Sequence, residues 1–66
     1  MRVFVNGTEK ELRDGMTVAE LLRDLGVQPT GAAVAVNERV VQRTLHDETR
    51  IVSGDAIEII RAVAGG

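Results

Sequence analysis

Cysteine, tryptophan and tyrosine are absent from these 66 residues, and histidine, phenylalanine and proline occur once each, as His46, Phe4 and Pro29. Without cysteine there is no disulfide framework and no thiolate metal site, which suits a reducing compartment. With no thiol and a single imidazole, the usual stock of nucleophiles and metal ligands is nearly missing, so the chain is not expected to be an enzyme. His46 reads as a loop residue with no chemical role. Asp47 and Glu48 have no second ligand group at a recognisable metal spacing and are assigned to solvent, so no metal site is expected. An excess of one charge is lacking too. Eight basic and ten acidic side chains give a net charge of -2, and they alternate in sign rather than cluster, which argues against a basic face for nucleic acid. No apolar run approaches the roughly 18 residues of a membrane span, and only a short apolar stretch precedes Asn6 and Gly7. The expectation is a cytoplasmic, soluble protein that engages neither nucleic acid nor membrane.

A chain of this length makes one domain, and such a domain buries only about 60% of the surface its unfolded chain exposes, leaving little room for a buried active site. The elements are nevertheless well marked. Met1, Val3 and Val5 alternate with Arg2 and Phe4, the period of a strand with one face on a core. Asn6-Gly7 follows, and both residues tolerate the positive φ of a two-residue hairpin turn, so "VFVNGTEKEL" predicts a hairpin. Its returning strand is mostly charged, with Leu12 as anchor, and suits a sheet edge. In "DGMTVAELLRDLG" the period changes. Val18, Leu21, Leu22 and Leu25 form one helical stripe, Thr17 and Glu20 spell a capping box, and Gly26 is placed for the left-handed C-terminal position, with Pro29 beyond it.

After "QPTG", the run "AAVAVNERVV" predicts two short strands about a polar turn at Asn37-Glu38. The stretch "QRTLHDETRIV" has no clean period and reads as a connection with one turn of helix at most. "SGDAIEII" then gives a turn and a strand in which Ile57 and Ile59 share one face, with Glu58 and Ile60 on the other. The order is β-β-α-β-β-β. One helix must cover one sheet, and the first and last strands, the most apolar, belong side by side and parallel in its middle. The expected fold is therefore α+β: a β-grasp, or ubiquitin-like, mixed sheet of four to five strands with one helix on one face. Residues 1–63 make the domain, and 64–66 a flexible tail ending in Gly-Gly.

With the last strand central and ending near Val63, Ala64, Gly65 and Gly66 project beyond the body. Glycine has no side chain and permits most backbone conformations, so such an end can thread a narrow channel and present its terminal carboxylate in a partner's active site. A carboxylate acylates poorly because its leaving group would be oxide. Coupled to AMP it becomes a mixed anhydride that a sulfur or nitrogen nucleophile can attack. The α-carboxylate of Gly66 is thus the candidate reacting group, with Gly65 and Ala64 giving it access.

Taken together, "MRVFVNG", "TVAELLRDLG", "VAVN", "SGDAIEIIRAV" and the final "AGG" resemble the small sulfur-carrier family of thiamine biosynthesis, the ThiS family, over essentially the whole chain. Two positions depart from its pattern: the family often has a third terminal glycine where this chain has Ala64, and a glycine after the Asn of "VAVN" where this chain has Glu38. The resemblance implies that an E1-like adenylyltransferase, related to the ubiquitin-activating enzymes, adenylates Gly66 with ATP and magnesium. It further implies that a cysteine persulfide donates sulfur to make a C-terminal thiocarboxylate, and that thiazole synthase takes the sulfur for the thiazole ring. The chain itself would bind no cofactor and act as a co-substrate. Two other readings stay open: a carrier for molybdopterin or tRNA thiolation, and a different class comprising ubiquitin-like modifiers and binding modules with an idle tail.

Recognition is expected on the sheet face away from the helix. By the alternation, Phe4, Ala35 and Ile60 point outward there as an apolar docking patch, while Glu58 and Arg61 are expected to be solvated.

Overall fold

The computed structural model describes residues 1–61. Strands β1 (Arg2–Val5) and β2 (Thr8–Glu11) form a hairpin, helix α1 (Val18–Leu25) follows, and β3 (Ala32–Val36) and β4 (Arg39–Val41) form a second hairpin. A connection containing one short 3-10 turn (Arg43–Leu45) leads to β5 (Ala56–Arg61). The five strands form one sheet in the order β2-β1-β5-β3-β4. β5 lies parallel to β1 and antiparallel to β3, so the last strand occupies the centre and the charged second strand an edge, as the residue pattern predicts. This mixed sheet with one covering helix is the β-grasp arrangement.

The two-faced pattern of each strand explains the core. Val3 and Val5 of β1, Val34 of β3, and Ile57 and Ile59 of β5 are buried beneath Val18, Leu21 and Leu22 of α1, with Leu25 half-buried at the margin. Val27, Met16 and Ile51 complete the cluster. On β2 every residue is exposed, and its glutamates pair across the hairpin with Arg2, at 2.8 Å from Glu9 and 3.9 Å from Glu11.

The start of α1 shows how local and distant segments divide one task. Four N–H groups at a helix start lack partners within the helix. Thr17 takes the N-cap, its hydroxyl accepting from Glu20 N–H at 3.2 Å, while Thr17 N–H donates to the Glu20 carboxylate at 2.9 Å. That N–H, and then the Thr17 hydroxyl, hold the Glu20 carboxyl below its ordinary pKa. The remaining donors are met from the connection before β5: Val18 N–H donates to the Thr49 carbonyl at 2.9 Å and Ala19 N–H to the His46 carbonyl at 3.0 Å. The aperiodic stretch is therefore a helix cap built from main-chain carbonyls. His46 lies in a turn outside the regular elements, as expected, but it is buried there, 4% exposed. Its Nε2 lies 3.2 Å from the Val41 carbonyl, which can only accept, so Nε2 carries a proton. Its Nδ1 is buried without a partner among the described residues.

Both hairpin turns place two successive residues at positive φ: Asn6 and Gly7 at 51° and 81°, Asn37 and Glu38 at 52° and 69°. Glu38 carries a side chain where glycine is favoured, because Cβ in the left-handed region crowds the following carbonyl by about 1–2 kcal/mol. Glu38→Gly is expected to stabilise the protein by about 0.5–1 kcal/mol after glycine's greater unfolded-state freedom is deducted. The check is a rise in the urea midpoint at unchanged slope; an unchanged or lowered midpoint would contradict it.

Candidate functional site

Everything the sequence says about reactivity converges on the end of β5, and the geometry around that strand defines the site. β5 is held on one side by β3, with Ala32 opposite Arg61 and Ala33 opposite Ile60, and on the other by β1, with Phe4 opposite Ala56 and Val5 opposite Ile57. As the central strand it is anchored through Ile57 and Ile59, 1% and 8% exposed, so its direction is fixed by the core. Arg61 closes the strand beside Gly26, Val27, Gln28 and Gly31 of the α1–β3 connection. Ala64, Gly65 and Gly66 lie outside the described residues.

The start of β5 is fixed by polar contacts. Asp55 is 6% exposed and accepts from Val52 N–H and from the Asn37 amide, each at 2.9 Å. The Asn37 carbonyl oxygen in turn accepts from Ala56 N–H at 2.9 Å. At the other hairpin, the Asn6 amide reaches Ile59, accepting from its N–H at 2.9 Å and donating to its carbonyl at 3.4 Å. Sequence reading assigns both asparagines to turns and misses these clamps, whose partners lie 19 and 53 residues away for the two backbone N–H contacts.

On the outer face of the sheet the structure places Phe4, Ala35 and Ile60 together with further apolar residues. Phe4 is 42% and Ile60 63% exposed, and Ala35 is half-buried. They do not form one compact triad. Phe4 pairs with the first residue of β5 and Ile60 lies four residues further along, about 13 Å at strand rise, with the exposed Glu58 between them opposite Ala35. Phe4 borders a shallow depression of about 470 Å³ shared with Asn6, Gly7, Ala56 and Glu58. Ile60 borders another of about 300 Å³ with Ala32 and Ala33. Val40, 76% exposed and opposite Ala35, extends the apolar surface toward the β4 edge. Its alternation with the half-buried Val41 was the signal available in "RVV".

The opposite side of the molecule offers a cleft of about 470 Å³ between α1 and the Arg43–Leu45 turn, lined by Arg23, Arg43, His46 and Asp47 among others. No group of three or more metal-ligating side chains occurs among the described residues. No helix among them is long and apolar enough to cross a membrane.

Comparison with known proteins agrees with the fold and with the family resemblance. The sequence model of the ThiS family matches residues 3–66. The sulfur carrier protein ThiS of Escherichia coli is 33% identical over 66 residues, covering all of both chains. A thiazole synthase of Paramagnetospirillum magneticum is also 33% identical over 66 residues, but there the chain spans only 20% of the relative's length. Among solved structures, the thiamine biosynthesis protein ThiS of Geobacter metallireducens superposes with a TM-score of 0.86 at 33% identity, covering 100% of each chain. On this match across its whole length, the chain belongs to the ThiS family.

Proposed function

We propose that the chain carries sulfur as a thiocarboxylate formed on the carboxyl group of Gly66. Family membership gives the coarser role, a sulfur carrier protein of thiamine biosynthesis. The single observation that supports the chemical form is the central, core-anchored β5, the last strand before Ala64-Gly65-Gly66 in sequence, in a chain that has no cysteine. With no thiol available, the sulfur has to be held on a carbonyl.

A Gly66 carboxylate oxygen attacks the α-phosphorus of ATP, bound with magnesium by an E1-like adenylyltransferase, and pyrophosphate leaves. The terminal sulfur of a cysteine persulfide attacks the acyl adenylate and AMP departs, leaving an acyl disulfide. A second thiol attacks the cysteine sulfur of that disulfide, forming a new disulfide and releasing the thiocarboxylate. On thiazole synthase the thiocarboxylate sulfur bonds to a carbon of the bound substrate, giving a thioester, and water cleaves the acyl–sulfur bond, which returns the Gly66 carboxylate and leaves the sulfur on the substrate. In this scheme the chain binds neither ATP nor metal and works in the cytoplasm as a co-substrate. A relative named thiazole synthase that contains a ThiS-like stretch supports this acceptor over molybdopterin or tRNA thiolation.

The test is ATP–pyrophosphate exchange with the adenylyltransferase. Exchange that requires this chain supports the reading, and exchange at the same rate without it contradicts the reading.

The outer sheet face is the proposed docking surface, with Phe4, Ala35 and Ile60 contacting the activating partner. Interface aromatics in desolvated pockets commonly cost about 2 kcal/mol or more when truncated. Phe4→Ala is expected to raise the carrier's KM in the exchange reaction by about tenfold or more, at unchanged folding. A KM equal to wild type would remove Phe4 from the interface.

A further inference from the structure

The main-chain pairing of β1 with β5 ends at Val5 and Ile57, because β1 turns away at Asn6 into the hairpin. The N–H and carbonyl of Ile59 point to that side and would face an empty strand position. They are met by one side chain. The Asn6 amide accepts from Ile59 N–H at 2.9 Å and donates to the Ile59 carbonyl at 3.4 Å, reproducing with a carboxamide the donor and acceptor of an absent strand residue. Asn6 N–H meanwhile continues the true ladder, donating to the Ile57 carbonyl at 2.8 Å. The left-handed φ of 51° at Asn6 places the side chain for this task.

Among the described residues, β5 from Ile59 to Arg61 has β3 as its only main-chain neighbour, and its one side-chain tether on the β1 side is Asn6. We propose that Asn6 is a positioning residue for the acyl end: by holding Ile59 on the side opposite β3, it sets the direction in which the chain leaves β5 toward Gly66. This rests on the carrier reading above. Docking through the outer face fixes where the body sits, whereas Asn6 fixes the heading of β5 at Ile59, from which the acyl end starts. Reacting groups misplaced by about 1 Å lose on the order of a hundredfold in rate.

Asn6→Gly separates the clamp from the turn, since glycine accepts the left-handed φ and keeps the hairpin but lacks the amide. Asn6→Asp retains an acceptor for Ile59 N–H and loses the donor. In Asn6→Gly the Ile59 amide is expected to exchange with solvent about tenfold faster or more, with the core amides of α1 unchanged. In ATP–pyrophosphate exchange with the adenylyltransferase, kcat is expected to fall about tenfold while the carrier's KM moves less than about twofold. Asn6→Asp should restore part of both. A purely structural role for Asn6 would shift the unfolding midpoint and leave kcat alone. Equal kcat in Asn6→Gly and wild type, or an Ile59 amide no less protected, overturns the inference. A rise in KM at constant kcat also overturns it, assigning Asn6 to the docking depression beside Phe4. Should Asn6→Gly not fold, Asn6→Asp decides by the same criterion, wild-type kcat counting against. Failure of wild type to support exchange refutes the carrier reading itself and removes the basis of this one, a result distinguishable from a normal wild type with an equally active variant.

Discussion

Deleting Gly66 is expected to abolish both pyrophosphate exchange and thiocarboxylate formation while leaving the fold intact. The reasoning is geometric. A shortened chain still ends in a carboxylate, that of Gly65, but the carboxylate is withdrawn by one residue, about 3.3–3.6 Å of extended chain. In-line attack on a phosphorus atom requires reacting atoms about 3–3.5 Å apart, so a shift of this size takes the oxygen out of range. Among the described residues, none of the buried ones that make the core lies beyond Ile59, so urea unfolding should be indistinguishable from wild type. Exchange at more than about a hundredth of the wild-type rate would contradict the assignment of Gly66. Retained affinity for a partner with no loss of function would favour a binding module.

The largest effect on stability is expected from truncation at the centre of the core. Leu21 on α1 is 1% exposed and belongs to the buried cluster that seats the helix on β1 and β5. Leu→Ala at such sites costs about 3 kcal/mol, the lost transfer free energy plus the cavity left behind. A domain of this size sits near the lower end of the 5–15 kcal/mol typical of folded proteins, roughly. Leu21→Ala should therefore lower the urea midpoint by about half or more, with exchange activity reduced in proportion to the folded fraction. A midpoint change equivalent to less than about 1 kcal/mol would mean that the core collapses around the vacancy. Either result bears on function, because the same residues that seat α1 also hold β5 in the centre of the sheet.

What the residues made legible was mostly local. Thr17, Glu20 and Gly26 mark the ends of α1 through contacts within four residues, and all three act as their types predict. The alternation in β1 and β5 correctly separated Val3, Val5, Ile57 and Ile59 from Phe4, Glu58 and Ile60. Their shared apolar character sufficed to place β1 beside β5. Residues 42–50 were illegible for a definite reason. Their contribution to α1 comes from the carbonyls of His46 and Thr49, and a main-chain carbonyl leaves no mark in a residue pattern. The burial of His46 follows from that placement rather than from its own type. Asn6 and Asn37 were legible as turns because positive φ is a property of the residue itself, whereas their grip on β5 depends on a strand far along the chain. The turn at Asn37-Glu38 was legible but its type was not, because Glu38 stands where a glycine would have announced the second positive φ. The outer face was legible as a face, but its layout depends on the register that sets Glu58 opposite Ala35.

The measurement closest to the central claim is the intact mass of the full chain after incubation with ATP, magnesium, the adenylyltransferase and a persulfide source, followed by fragmentation. The account predicts a gain equal to the exchange of one oxygen for one sulfur, located on Gly66 and reversed when thiazole synthase and its other substrates are added. An unchanged mass, under conditions in which the Escherichia coli carrier acquires sulfur, would contradict it.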